Sequence, residues 1–165
     1  MSLLQSIDPQ LLAPVQSDSR YDHSPFRNLR LLAPKQKGER YEKITIALMQ
    51  QLGHTYLPRT SSQNDAMFDG TVYEIKGSML GNGIDNFSFL QIRPDQDYQA
   101  LLFVMFYPQR VIIMSMHKPD ILAQVASGVF RPQHRGQQGN SGTYLYQGNE
   151  KTLITIGAQL LHEIE

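Results

Sequence analysis

The stretch Asn64-Asp65-Ala66-Met67-Phe68-Asp69-Gly70-Thr71-Val72-Tyr73-Glu74-Ile75-Lys76 constrains this chain more than any other. Asp-Gly between two apolar-rich runs favours a two-residue hairpin turn, because both central residues of that turn need positive φ. With Asp69-Gly70 as the turn, Phe68 pairs with Thr71, Met67 with Val72, Ala66 with Tyr73 and Asp65 with Glu74. Directly opposed residues project from one face with Cβ atoms about 4.5–5.5 Å apart, and Lys76, two residues beyond Glu74, shares that face. Two carboxylates and one ammonium thus converge on a small patch. A competing assignment uses Asp69 in place of Asp65 and requires that Asp69-Gly70 not be the turn. The plainest outcome of the same residues is a surface hairpin with a solvated ion-pair cluster, which contributes little.

A chain of 165 residues suits one domain with a sizeable core. With 41% hydrophobic and 18% charged residues it reads as globular rather than disordered. It contains no cysteine, which excludes disulfides, thiolate zinc sites and a cysteine nucleophile. There is no apolar run long enough to span a bilayer and no basic-then-apolar leader, so the expectation is a cytoplasmic protein with no membrane partner. Fifteen basic side chains balance fifteen acidic ones, which argues against a purely electrostatic nucleic-acid coat. The distribution is uneven, however. Residues 20–43 hold Arg20, Arg27, Arg30, Lys35, Lys37, Arg40 and Lys43 against Asp22, Glu39 and Glu42, a local excess of four positive charges. Such a patch can track phosphates or be a solvated segment.

Hydrophobic patterning divides the chain into an N-terminal arm and basic segment (1–37), a core (38–116) and a C-terminal part (117–165). The arm, residues 1–19, is interrupted by Pro9 and Pro14, and a short helix is expected around Phe26 to Leu32. Gly38 to Gly53 reads as a helix with an apolar stripe of Tyr41, Ile44, Ala47, Leu48 and Leu52, ended by Gly53. Glu39 and Glu42 lie one turn apart on its other side, with Ile46 and Met49. Either glutamate could be drawn inward, or both could be acids of the first turn favoured by the helix dipole. A short strand at Thr55 to Leu57 precedes the hairpin. A glycine-rich loop, Gly77 to Asn86, follows it. Strands are then expected at Phe87 to Ile92, Ala100 to Phe106 and Val111 to Met116, the middle one covered on both faces. Pro119 opens a helix that Gly128 closes. Thr143 to Gln147 and Thr152 to Ile156 suggest a second hairpin around Gly148-Asn149, and Gly157 to Glu165 a short helix or an interfacial tail.

A carboxylate pair suits a hard cation such as Mg²⁺, which takes one or two protein carboxylates and keeps several waters. Asp65 and Glu74 are the candidate ligands. Such an ion neutralises a phosphate oxygen and acidifies a bound water, and Lys76 beside it could orient the water or stabilise the developing charge. Glu42, if its helix packs behind the hairpin, could bind a second ion or orient a water.

Asp65 followed by Glu74-Ile75-Lys76 resembles the Asp…Glu-x-Lys signature of the PD-(D/E)xK nuclease superfamily. The helix Gly38-Glu39-Arg40-Tyr41-Glu42 is similar to the one that often supplies that family's additional acid, with Glu42 the better match. The segment Phe89-Leu90-Gln91-Ile92-Arg93-Pro94 through Tyr98 resembles the stretch C-terminal to the motif in type II restriction endonucleases. The likeness covers roughly residues 38–116, and Asn64 stands where the family places proline. It implies an α/β, α+β mixed-sheet fold with a restriction-endonuclease-like core, about five central strands flanked by helices. It also implies Mg²⁺-dependent cleavage of double-stranded DNA leaving 5′-phosphates, Mn²⁺ substituting, by a type II restriction endonuclease that works as a homodimer. A structure-specific repair or recombination nuclease on the same fold, or a non-catalytic DNA-binding protein, are the alternatives.

The loop from Arg131 to Gly142 is rich in groups that can hydrogen-bond base edges. Arg135 could address guanine, and Gln137, Gln138 and Asn140 adenine; the same loop could equally be a flexible excursion. Lys35, Lys37 and Arg40 are the candidate phosphate contacts. Gln91 at the end of its strand could face the site or be ordinary edge chemistry.

Overall fold

The computed structural model describes residues 18–81, 83–137 and 141–165. The arm up to residue 17, and with it Gln138 and Asn140 of the loop, lie outside the described residues. The core is a mixed six-stranded sheet in the order β1-β2-β3-β5-β6-β9. Its strands are β1 (Tyr56–Pro58), β2 (Ala66–Phe68), β3 (Thr71–Met79), β5 (Ala100–Phe106), β6 (Val111–His117) and β9 (Gln159–Ile164). Only β3 and β5 run parallel; every other pair is antiparallel. A second, antiparallel sheet orders β4 (Phe87–Ile92), β8 (Tyr144–Gly148) and β7 (Arg131–Pro132). The expected mixed sheet flanked by helices is therefore present, with six strands rather than about five.

Each face of the central sheet carries its own core. On one face α1 (Pro34–Gln51) covers Phe68, Ile75, Leu102, Val104, Phe106 and Ile113. On the other, the second sheet and α2 (Lys118–Ser127) enclose Phe87, Phe89, Phe103, Met114, Ile121, Phe130 and Tyr146. β5 reads Ala-Leu-Leu-Phe-Val-Met-Phe and is buried throughout, as a strand covered on both faces requires. No helix among the described residues is long and apolar enough to cross a membrane.

Several sequence expectations are corrected. Helix α1 starts at Pro34, which suits the first helical position, and runs through Gly38. Its buried stripe is Tyr41, Thr45 and Met49, while Ala47 and Leu52 are exposed. Thr45 is tolerated there because its hydroxyl donates to the Tyr41 carbonyl at 2.7 Å. The expected short helix near Phe26 is 3-10, Arg27–Leu31. β3 continues through Gly77 to Met79, so the loop begins later than Gly77. The expected second hairpin is absent: Asn149 caps α3 (Glu150–Thr155), accepting from the Lys151 and Thr152 amides. The C-terminal segment is neither helix nor tail but the edge strand β9, paired with β6.

Candidate active site

The turn chemistry sets the hairpin. Asp69 and Gly70 have φ of 51° and 84°, and the pairs Phe68–Thr71, Met67–Val72 and Ala66–Tyr73 form as expected. The expected Asp65–Glu74 pair does not follow: the Asp65 amide donates instead to the carbonyl of Tyr73, the partner of Ala66, at 2.9 Å, a local irregularity at the end of the ladder. The Asp65 carboxylate accepts from the Ile75 amide at 2.7 Å. Lys76 Nζ lies 2.8 Å from Glu74 Oε1, with side chains 18% and 12% exposed. This is not the solvated surface cluster of the plainest sequence outcome.

Gly77 lets α1 come down on this strand. A Cβ built there would stand 2.5 Å from Tyr41 Cβ, and the Tyr41 ring stacks on Phe106 at 4.9 Å between centroids. The next residue along α1, Glu42, is thereby half-buried within electrostatic reach of Asp65 and Glu74. Burial first, then the charges of Asp65, Glu74 and Glu39, pushes the Glu42 carboxyl up to about 7. Burial likewise raises Asp65, against the Ile75 amide and Lys76, which favour its charge. Burial also raises Glu74, with Lys76 opposing and Asp65 reinforcing. At all three carboxyls burial is the largest cause of the rise.

A divalent cation would offset the cost of ionising these buried carboxyls, so the residues fit one. Among the described residues no group of three or more His, Cys, Asp or Glu side chains is placed to hold a metal. Mg²⁺ does not need one, since two carboxylates and water suffice; Asp65 and Glu74 are the pair that would hold it.

Three residues near the site were not singled out from the sequence. The charge of Arg93 reaches Glu74, and Tyr98 and Lys118 lie within electrostatic reach of the same carboxyl. Lys118 Nζ lies 3.5 Å from the centre of the Tyr98 ring and donates to the Gln96 carbonyl. Burial lowers the Lys118 ammonium below its ordinary value. The buried Tyr98 hydroxyl has no hydrogen-bond partner among the described residues. The signal for this group is topological: β6 delivers His117 opposite Ala100, and Ala100 opposite Tyr73. An open, polar cleft of about 550 Å³ lies between the loop that leads into Asp65 (Ser62, Gln63), the turn Arg93, Asp95, Gln96, and residues 141–143. Asn64, buried where the resembling family places proline, joins its walls: it accepts from Arg59 at 3.0 Å and donates to the Asp97 carbonyl at 2.7 Å.

The other sequence candidates are dispersed. Asp69 is the turn residue, and its carboxylate is bound to His54 and to the Thr55 amide, which removes it as an alternative to Asp65. Glu39 is exposed. Lys35, Lys37 and Arg40 project from the first turns of α1, none in an ion pair among the described residues. Gln91 sits in the second sheet at a β-bulge with φ of 55°, exposed, its amide donating to Gln133 at 2.8 Å. Arg135 is exposed. Gln137 is not a free base reader: its carboxamide donates to the Thr143 carbonyl and accepts from the Thr143 amide at 3.1 Å, closing the loop.

The chain matches no protein-family model and no curated protein sequence.

Proposed function

We propose that this protein is a Mg²⁺-dependent endonuclease, Mn²⁺ substituting, that hydrolyses double-stranded DNA at a specific sequence as type II restriction endonucleases do. One observation carries the reading: the Asp65 and Glu74 carboxyls meet at the open end of the hairpin, with Lys76 2.8 Å from Glu74 and Glu42 drawn in beside them. The resemblance of Asp65 and Glu74-Ile75-Lys76 to the PD-(D/E)xK signature agrees with that chemistry. So does a mixed sheet that holds the hairpin between two cores.

The ion held by Asp65 and Glu74 would supply the positive charge that stabilises a pentavalent phosphate and makes water a nucleophile at neutral pH. Hydrolysis adds water across the P–O3′ bond, leaving a 5′-phosphate and a 3′-hydroxyl. Lys76 would donate to the attacking water or the phosphate, and Glu42, in its ionised form, would take up a water proton. Lys35, Lys37 and Arg40 would track the flanking phosphates, and Arg135 would address a guanine. One such site cuts one strand, so cleavage of a duplex calls for a homodimer.

Digestion of a sequenced plasmid with the full chain and MgCl₂, followed by end mapping, tests this. Discrete fragments with 5′-phosphate ends are expected, and Lys76→Ala should slow cleavage by about 100-fold or more. No cleavage with Mg²⁺ or Mn²⁺, or undiminished cleavage by Lys76→Ala, overturns the proposal. One observation favours a second reading, a structure-specific nuclease: Gln137 is spent on holding its own loop, which removes a base reader. Preferred cutting of branched or mismatched duplexes would select that reading.

A further inference from the structure

Away from the carboxylate cluster, two histidines separated by 108 positions meet head to head: His54 Nε2 lies 2.6 Å from His162 Nε2. His54 follows α1 at the entry to β1, and His162 lies on β9, opposite Ile113 of β6. The pair therefore joins the two outer strands of the sheet, over the face that α1 covers. Asp69 completes the arrangement. Its Oδ2 lies 2.5 Å from His54 Nδ1 and its Oδ1 accepts from the Thr55 amide at 2.8 Å. A carboxylate fixed in this way receives the Nδ1 proton of His54 and turns the Nε2 lone pair toward His162.

We propose that His54 and His162 form a binding site for a transition-metal dication of the zinc class, oriented by Asp69 and completed by water. Zinc takes imidazole nitrogens at about 2.0–2.1 Å in tetrahedral geometry, which places two such nitrogens about 3.4 Å apart. From 2.6 Å the rings need part by only about 0.8 Å to admit the ion. Imidazole ligands suit Zn²⁺, Ni²⁺ and Cu²⁺ and not Mg²⁺, so this site and the carboxylate pair select different ions. A carboxylate on the far nitrogen of a ligating histidine is the usual second contact that fixes ring and tautomer. The proton balance is simple: in the metal-free chain one hydrogen lies between the two Nε2 atoms. Since His54 Nδ1 donates to Asp69, that hydrogen belongs to His162. On metal binding His162 moves it to Nδ1, and both rings bind as neutral ligands. The site lies open to water on one side, His54 being 24% exposed, so the remaining coordination positions can be filled.

Calorimetric titration of the full chain with ZnCl₂, with MgCl₂ in excess to occupy the carboxylates, tests this. One Zn²⁺ per chain is expected. His54→Gln and His162→Gln should each weaken binding by about 100-fold, and Asp69→Asn by about 10- to 100-fold. Asp65→Asn with Glu74→Gln should leave it unchanged. Should a histidine variant fail to fold, nitrogen NMR of the unmutated protein gives the answer. The Nε2 signals of His54 and His162 should move on adding ZnCl₂, while those of His23, His117 and His134 stay in place. No uptake of zinc, uptake indifferent to both histidine substitutions, or unmoved His54 and His162 signals would each overturn the proposal.

Discussion

Replacing Gly77 by alanine adds one methyl group where α1 lies on β3, and the structure gives the consequence. An ideal Cβ there stands 2.5 Å from both Cβ and Cγ of Tyr41. Ordinary contacts begin at 3.4 Å, so helix and strand must part by about 0.9 Å. Tyr41 cannot swing aside, because its own Cβ is in the clash and its ring is buried against Phe106. Overpacking of this kind costs about 1–3 kcal/mol, a fall in Tm of about 2–12 °C for a chain of this size. The displacement also carries Glu42, the next residue, away from Asp65 and Glu74. A shift of about 1 Å in a catalytic group can cost about 100-fold in rate, so cleavage should fall by much more than the loss of folded protein explains.

The same substitution at Gly38 provides the control. Gly38 lies inside α1, and a Cβ there meets nothing within 4 Å. Gly38→Ala should therefore stabilise by about 0.4–1 kcal/mol through the gain in helix propensity. Urea unfolding of both variants, with cleavage rates scaled to folded protein, reads the pair. Gly77→Ala as stable as the unmutated chain, or the two variants shifting in the same direction, would refute the close packing of α1 on β3 and with it the placement of Glu42.

Two more outcomes come from the same geometry. Glu42 has a folded pKa of about 7 against 4.5 for the free side chain, so the folded chain holds a proton that the unfolded chain has released. The stability Glu42 lends is then complete below pH 4.5 and lost as pH rises through about 7. Urea midpoints in EDTA for the unmutated chain and Glu42→Gln, compared at each pH so that other titrations cancel, should diverge across that window in favour of the glutamine variant; parallel curves would contradict it. For Asn149, a helix cap and a hairpin turn predict different patterns. As the cap of α3 it accepts from two amides at 3.0 and 3.2 Å, so Asn149→Ala should cost about 1 kcal/mol and Asn149→Gly only a few tenths. Equal losses in thermal unfolding would argue against the cap.

The sequence was legible wherever neighbouring residues decide the structure. Asp69-Gly70 set the register from Phe68–Thr71 to Ala66–Tyr73, and the expected Asp65–Glu74 pair slips by one residue as the Asp65 amide turns to Tyr73. The same local logic failed at Gly148-Asn149, where the dipeptide looked like a turn but the Asn149 side chain reaches forward to cap Lys151 and Thr152 instead. It failed again in Gln159–Ile164, whose apolar residues do not alternate cleanly, because β9 pairs with β6 through an irregularity between Ile113 and Met114. Thr45 took a core position that a hydrophobicity pattern assigns to an apolar residue, since its hydroxyl is satisfied within its own helix. The surroundings of the candidate site were illegible for a different reason. Arg93 and Lys118 are separated from Lys76 by whole strands. Arg93 follows β4 of the second sheet, and Lys118 comes within reach of Glu74 because β5 returns parallel to β3 and β6 doubles back along β5. A motif spaced over a dozen residues can therefore mark where two carboxylates face each other, whereas the cations that accompany them are placed by the order of the strands. That order also turned Asp69 from a rival of Asp65 into the partner of His54, on a chain segment where the residue type alone suited either role.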